Sequence, residues 1–225
     1  MNRESIQECL LSSQTTTSVW INDIKQKQQK ETLFDNDRFV ESELLSQADV
    51  VIVGAGISGI SLAYWLQKEK INNIVVLEAG NSCCRGATGR NGGHCWPSGE
   101  FEDEEDVVAL KQENFKLIST FVKENDIECD WIENKGGFCG IETEEEFNDE
   151  SEWLKGMSTF QSIQHATLYK DRQRSLTEMP FKHDYIGAVV EPFAASLSPV
   201  KLVEGILNII FDVKESNEFQ PTLVL

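Results

Sequence analysis

The apolar pattern changes sharply near residue 48. Residues 1–47 are polar, with "QTTT" and "KQKQQKE" and few apolar anchors. They read as an N-terminal extension with partial helix over 19–31, docked through Trp20, Ile21 and Ile24. From residue 48 the chain runs "ADVVIVGAGISGISLAYWLQKEKINNIVVLEAG". The β-branched run Val50 to Val53 predicts a strand buried on both faces. "ISLAYWLQKEK" has helical composition, and "NNIVVLEAG" supplies a second buried strand around Ile74 to Leu77. A strand, a helix and a strand in this order predict a parallel, right-handed β-α-β unit.

Further along, residues 103–125 predict a helix with Val108, Phe115, Ile118 and Val122 near one face. "CDWIENKGGFCGIE" predicts a β-hairpin around Lys135, Gly136 and Gly137. A polar, partly helical stretch spans 144–165, and "YIGAVVEP" predicts another strand. "SPVKLVEGILNIIF" starts well as a helix, with Ser198 as cap and Pro199 at the first position. "QPTLVL" reads as a last short strand. The fold class expected from this order is α/β, with a parallel sheet.

Composition narrows the function. The 225 residues are 40% hydrophobic, enough for a core, yet no apolar run approaches the roughly 20 residues that span a bilayer. The start, "MNRESIQECL", has no secretory pattern, so a cytoplasmic protein with no membrane partner is expected. A formal net charge of −18 disfavours nucleic acid, whose phosphates require a basic face. The acidic run through Glu142, Glu144, Glu145, Glu146, Asp149, Glu150 and Glu152 reads as a solvated face. Six cysteines occur at 9, 83, 84, 95, 129 and 139 without a CxxC, so free thiols are expected. Cys83, Cys84, His94 and Cys95 match no common zinc spacing, and no metal is expected.

The chemistry concentrates in two glycine-rich segments. Gly54, Gly56 and Gly59 fit GxGxxG between a predicted strand and a predicted helix. The first glycine allows the tight turn, the second lets a pyrophosphate approach the backbone, and the third, helped by small Ala63, lets helix and sheet pack closely. Ser58 lies inside the same turn. The helix N-terminus offers unpaired amides and partial positive charge to a diphosphate. Glu78 ends the second strand, 22 residues after Gly56, where an acid takes both ribose hydroxyls and argues against a 2′-phosphate.

The second segment is "CCRGATGRNGGHCWP", residues 83–97. The region 48–97 resembles the FAD-dependent oxidoreductases of the D-amino-acid oxidase superfamily, most of all the branch with gamma-glutamylputrescine-oxidase-like proteins. "ADVVIVGAGISG", "VVLEAG" and "GATGRNGGHCWP" carry the resemblance, and "DIECDWIENKGGFCG" and "AASLSPVKLVEGIL" extend it more weakly. The resemblance implies FAD as cofactor, with the loop passing along the diphosphate and the flavin ring. Gly89, Gly92 and Gly93 would let backbone amides approach, Arg85 or Arg90 would neutralise phosphate, and Asn91 and His94 would bond the polar edge of the isoalloxazine. Thr88 belongs to the same loop. The vicinal Cys83 and Cys84 read as ordinary thiols.

The resemblance divides the chain into an extension (1–47), the first part of an FAD-binding Rossmann-like domain (48–126), a partial substrate-type α+β region (127–195), and a return helix and strand (196–225). Family members are longer, so the fold is expected to be incomplete, with an open sheet edge that favours self-association. The implied activity is oxidation of an amine or amino-acid C–N bond, with electrons passing to FAD and then oxygen. Two alternatives stand beside it: an FAD-fold protein without turnover, acting by binding, and an NAD-dependent dehydrogenase. No catalytic residue is assigned.

Overall fold

The computed structural model describes residues 18–27, 47–71, 73–80, 82–97, 104–133, 136–170, 185–212 and 222–224. Ile24 and the remainder of the 19–31 helix, Cys9, and Lys135 of the expected hairpin lie outside what is described of side chains or backbone. Two units form: residues 1–91 with 199–225, and residues 92–198. The sequence reading placed a change of domain at 126–127. The structure breaks at 91–92 instead, because the long helix 105–124 packs with the second unit.

In the first unit, helix α1 (Val19–Lys27) precedes strand β1 (Val50–Val53), helix α2 (Ile57–Lys68) and strand β2 (Ile74–Leu77). Strands β1 and β2 are parallel and in register from Val50↔Ile74 to Val53↔Leu77. Helix α5 (Pro199–Asp212) and a closing strand, β9 (Thr222–Val224), return to the same unit, and β9 pairs parallel with β2. The sheet order is therefore β1-β2-β9. Helix α5 buries Val200, Val203, Leu207 and Ile210, a stripe at helical spacing, and packs on the buried Ile60, Ala63 and Tyr64 side of α2. Gln67 Nε2 donates to the Ile210 carbonyl at 3.0 Å and fixes the two helices in register.

Strand β1 is not buried on both faces as expected. Ile52 is buried, but Val51 and Val53 are 53% and 84% exposed. Alternate side chains point to opposite faces. The Ile52 side chain meets Gly59 of α2, so α2 covers that face, while no described element covers the other face at β1. Among the described residues β1 pairs only with β2.

The second unit holds β3 (His94–Cys95), α3 (Glu105–Glu124), β4 (Ile132–Glu133), β5 (Gly137–Ile141), α4 (Glu144–Met157), β6 (Thr167–Tyr169), β7 (Gly187–Glu191) and β8 (Ala195–Ser196). Its two antiparallel sheets have orders β3-β8-β4 and β5-β7-β6. Helix α3 buries Val108, Phe115 and Val122, with Ile118 half-buried beside them. Val108 packs with Met157 and Ile163. Helix α4 opens with a capping box, Thr143 Oγ1 accepting from Glu146 N while the Glu146 carboxylate accepts from Thr143 N. The acids Glu144, Glu145 and Glu146 occupy its first turn, where the helix dipole favours them. The acidic run is thus the exposed start of a helix.

The expected hairpin around Lys135 does not form. Strand β4 pairs with β8, and β5 pairs with β7 in the other sheet. Gly136 has φ +119°, and a Cβ there would overlap the Glu191 carbonyl oxygen. Gly136 therefore lies close against β7.

Candidate functional site

The turn after β1 is built by close approach. Gly54, at φ +99°, donates its N–H to the Leu77 carbonyl at 2.7 Å. A Cβ on Gly59 would overlap the Gly54 carbonyl oxygen, so only glycine lets α2 leave the strand this tightly. Gly56 is the N-cap of α2 and makes no side-chain cap bond. Among the described residues, no hydrogen-bond partner meets the amides of Gly56, Ser58 or Gly59. No acid lies in the first turn of α2. Unpaired amides and a positive dipole end, with no acid in the helix's own first turn, suit this turn to an anion. A Cβ at Gly54 would meet nothing within 4 Å, so the turn is open on that side.

Glu78 does more than the sequence suggested. Its Oε2 accepts from Ala55 N at 2.8 Å and its Oε1 from Gly80 N at 2.9 Å. The carboxylate therefore holds Ala55, the second residue of the glycine turn, in place. Each oxygen keeps a further acceptor position for a ribose hydroxyl.

The loop 83–91 lies against this turn. Cys84 donates its N–H to the Ala55 carbonyl at 3.2 Å. Thr88 is buried, and its Oγ1 accepts from Ile57 N, the first helical residue, at 3.0 Å. A side chain in the loop thus supplies the cap that Gly56 lacks. A Cβ on Gly56 would lie 2.9 Å from that hydroxyl, which gives the second glycine a local reason as well as an expected role toward ligand. Residues Ala87–Gly89 form a 3₁₀ turn. Asn91 Nδ2 donates to the Ala87 and Thr88 carbonyls at 3.2 and 3.0 Å, and Arg90 Nε donates to the Arg85 carbonyl at 3.0 Å. Arg85 and Arg90 are both exposed.

Two expectations for this loop change. Gly89 N donates to Gly86 O at 3.2 Å, and a Cβ on Gly89 would overlap the Cys84 carbonyl oxygen. Gly89 thus serves the loop's own packing. The Asn91 amide likewise braces the turn. Gly54, Gly56, Ser58, Gly59, Glu78, Arg85, Thr88, Gly89, Arg90 and Asn91 share the first unit, whereas Gly92, Gly93 and His94 belong to the second. There Gly93, at φ +71°, accepts from Leu197 N at 2.9 Å, and exposed His94 pairs with Ser196.

The five described cysteines are free thiols. Burial, and then the charge of Glu78, pushes the Cys83 thiol up to about 12. Burial raises Cys84 also, followed by Cys83, Glu78 and Glu204. Both are protonated and inert near neutrality, which fits packing rather than redox chemistry. Among the described residues no cluster of three or more His, Cys, Asp or Glu could hold a metal ion, and no helix is long and apolar enough to cross a membrane.

Sequence reasoning missed Glu191, a buried carboxylate on β7 that burial, and then the Glu150 charge, pushes up to about 7. The signal was a glutamate inside the apolar "AVVEP" run, read only as strand. It also missed the Thr88 cap, for which no pattern exists, since a cap 31 residues from its helix is a product of tertiary folding.

The family described as DAO, FAD dependent oxidoreductase, matches residues 49–210. No curated protein matches this chain. Among solved structures, the chain is similar to the L-amino acid deaminase of Proteus myxofaciens in complex with anthranilate, at 17% identity and TM-score 0.63, covering 83% of this chain and 40% of that one. Glycine oxidase from Geobacillus kaustophilus matches at 19% identity and TM-score 0.62, over 78% of this chain and 45% of that one. L-Proline dehydrogenase from P. horikoshii matches at 17% identity and TM-score 0.58, over 80% and 44%. The chain thus spans less than half the length of each. These likenesses establish the fold, a partial FAD-binding α/β architecture with one parallel and two antiparallel sheets. The amide cradle fits the diphosphate of FAD, and the family's cofactor is FAD rather than NAD. A match over 49–210 covers well over half of the 225 residues, and the chain belongs to the DAO family of FAD-dependent oxidoreductases.

Proposed function

We propose that this protein binds FAD at the 54–59 turn and the 85–91 loop and oxidises the C–N bond of a small amine or amino acid, with oxygen as final acceptor. The observation that carries the reading is the set of unpartnered amides at Gly56, Ser58 and Gly59, roofed by the Thr88 hydroxyl. These amides would hold the diphosphate. Thr88 accepts from Ile57 and keeps its own proton to donate to a phosphate oxygen. Glu78 would take the ribose hydroxyls, and Arg85 or Arg90 would offset phosphate charge. When bound, FAD supplies the two-electron oxidant that the substrate requires.

The gamma-glutamylputrescine-oxidase-like branch, resting on "GATGRNGGH", is part of the same proposal, and so is a cytoplasmic location. The test is anaerobic: amines and amino acids are mixed singly with the FAD-loaded protein, and flavin bleaching is followed at its visible absorption. Air is then admitted and peroxide measured. Bleaching by an amine with stoichiometric peroxide supports the reading; bleaching without peroxide replaces oxygen with another acceptor. A second reading, FAD binding without turnover and with self-association, is favoured by the exposed Val51 and Val53 on β1. It predicts bound flavin that no substrate bleaches.

A further inference from the structure

Helix α1 precedes the nucleotide fold in sequence, yet its first residues bond to the glycine-rich loop 71 positions later. Ser18 Oγ donates to the Gly89 carbonyl, and the same oxygen accepts from Ile21 N at 3.3 Å. One buried hydroxyl therefore caps α1 and ties down the loop. Trp20 Nε1 donates to the Asn91 carbonyl at 2.9 Å. The two accepting carbonyls flank Arg90. The Ile21 Cδ1 methyl lies 3.5 Å from where a Cβ of Gly89 would stand, so its side chain packs on that glycine. Along the helix, Asp23 Oδ2 lies 3.6 Å from Lys201 Nζ, which anchors α1 to α5.

We infer that α1 is a latch that holds the 85–91 loop in its cofactor-ready form, with Ser18 and Trp20 as positioning residues. Besides the loop's internal bonds from Asn91 and Arg90 and its bonds to the glycine turn at Cys84 and Thr88, Ser18 and Trp20 fasten it from the far end of the unit's sequence, at Gly89 and Asn91. Gly89 adjoins Thr88, so a tether on the Gly89 carbonyl restrains the hydroxyl that roofs the cradle. Two hydrogen bonds, Ser18 to Gly89 and Ile57 to Thr88, joined by the chain between Gly89 and Thr88, couple the extension to the diphosphate site. The link to cofactor rests on the proposed FAD reading; the link to the loop does not.

The loop is read without FAD by amide hydrogen exchange at Gly89, Arg90 and Asn91, whose N–H groups bond to Gly86 and Ala87. Ser18→Ala and Trp20→Phe should each speed exchange there by roughly fivefold, the factor for one net hydrogen bond. Exchange at Ala188 and Val189 of β7 should not change, which separates local release from global unfolding. Ser18→Thr keeps the hydroxyl and should restore protection. FAD titration of the same variants should show weaker binding for Ser18→Ala and Trp20→Phe and wild-type binding for Ser18→Thr. Wild-type exchange rates in both disrupting variants would overturn the latch. Faster loop exchange with unchanged FAD affinity would overturn its role toward the cofactor. Failure of the wild-type protein to bind FAD would reject the functional reading, while exchange would still decide whether α1 holds the loop.

Discussion

Replacing Thr88 by valine removes one hydroxyl and keeps the shape. Thr88 is 8% exposed, and its Oγ1 is the acceptor for Ile57 N at 3.0 Å. With valine there, the first amide of α2 loses its cap. Such a loss costs about 1 kcal/mol, and half-buried Ile57 can recover part of it from water. Urea unfolding of the FAD-free protein should therefore show a loss of about 1 kcal/mol with an unchanged slope. The second effect is separate. If the hydroxyl proton goes to a phosphate oxygen, its loss removes a charge-assisted bond of roughly 1.5 to 3 kcal/mol, and FAD affinity should fall about tenfold to a hundredfold. Thr88→Ser keeps both bonds and should behave as wild type in both assays. FAD binding by Thr88→Val within twofold of wild type would remove the hydroxyl from the site. Unfolding at the wild-type urea concentration would show that the cap contributes nothing.

Glu78→Gln keeps one acceptor oxygen but loses the charge and one of the amide bonds to Ala55 and Gly80, so FAD should bind about tenfold more weakly in a fluorescence titration; equal affinity would exclude the ribose contact. Glu191 ionises at about 7 in the folded protein against 4.5 ordinarily, so the unfolded chain loses this proton first and stability falls as pH rises from about 4.5 to about 7, then levels. Glu191→Gln should flatten that fall and gain about 2 kcal/mol at pH 8, allowing for partial solvent screening; parallel pH curves for variant and wild type would refute it. Cys83 and Cys84 should resist a thiol reagent at pH 7.5 until the protein unfolds, whereas fast labelling would mean that the loop opens readily.

The first β-α-β unit was legible because its signals are local: a β-branched run, three glycines at fixed spacing, and a helix-forming stretch. Strand β9 and the start of α5 at Pro199 were legible for the same reason. What escaped was long-range. The alternation in "WIENKGGFCG" cannot say whether two short strands pair with each other or with strands far along the chain, and β4 and β5 took different partners, β8 and β7. Valine at 51 and 53 is equally suited to a covered or an open face, so burial could not be read from composition. Within the site, the glycine positions were identifiable. The bonds that hold them, from Glu78 to Ala55, Thr88 to Ile57 and Ser18 to Gly89, join side chains to backbone across 23 to 71 residues. No local pattern encodes those.

The central claim is that the Gly54–Gly59 cradle holds the diphosphate of FAD. Titrating the purified chain with FAD and with FMN, in wild type and Gly56→Val, tests it most directly, because FMN carries the same flavin ring without the diphosphate and adenosine. Saturable FAD binding by wild type, at least about tenfold weaker in Gly56→Val and far weaker for FMN, is the expected result. Equal affinity for FAD and FMN, or full retention of FAD by the valine variant, would contradict it.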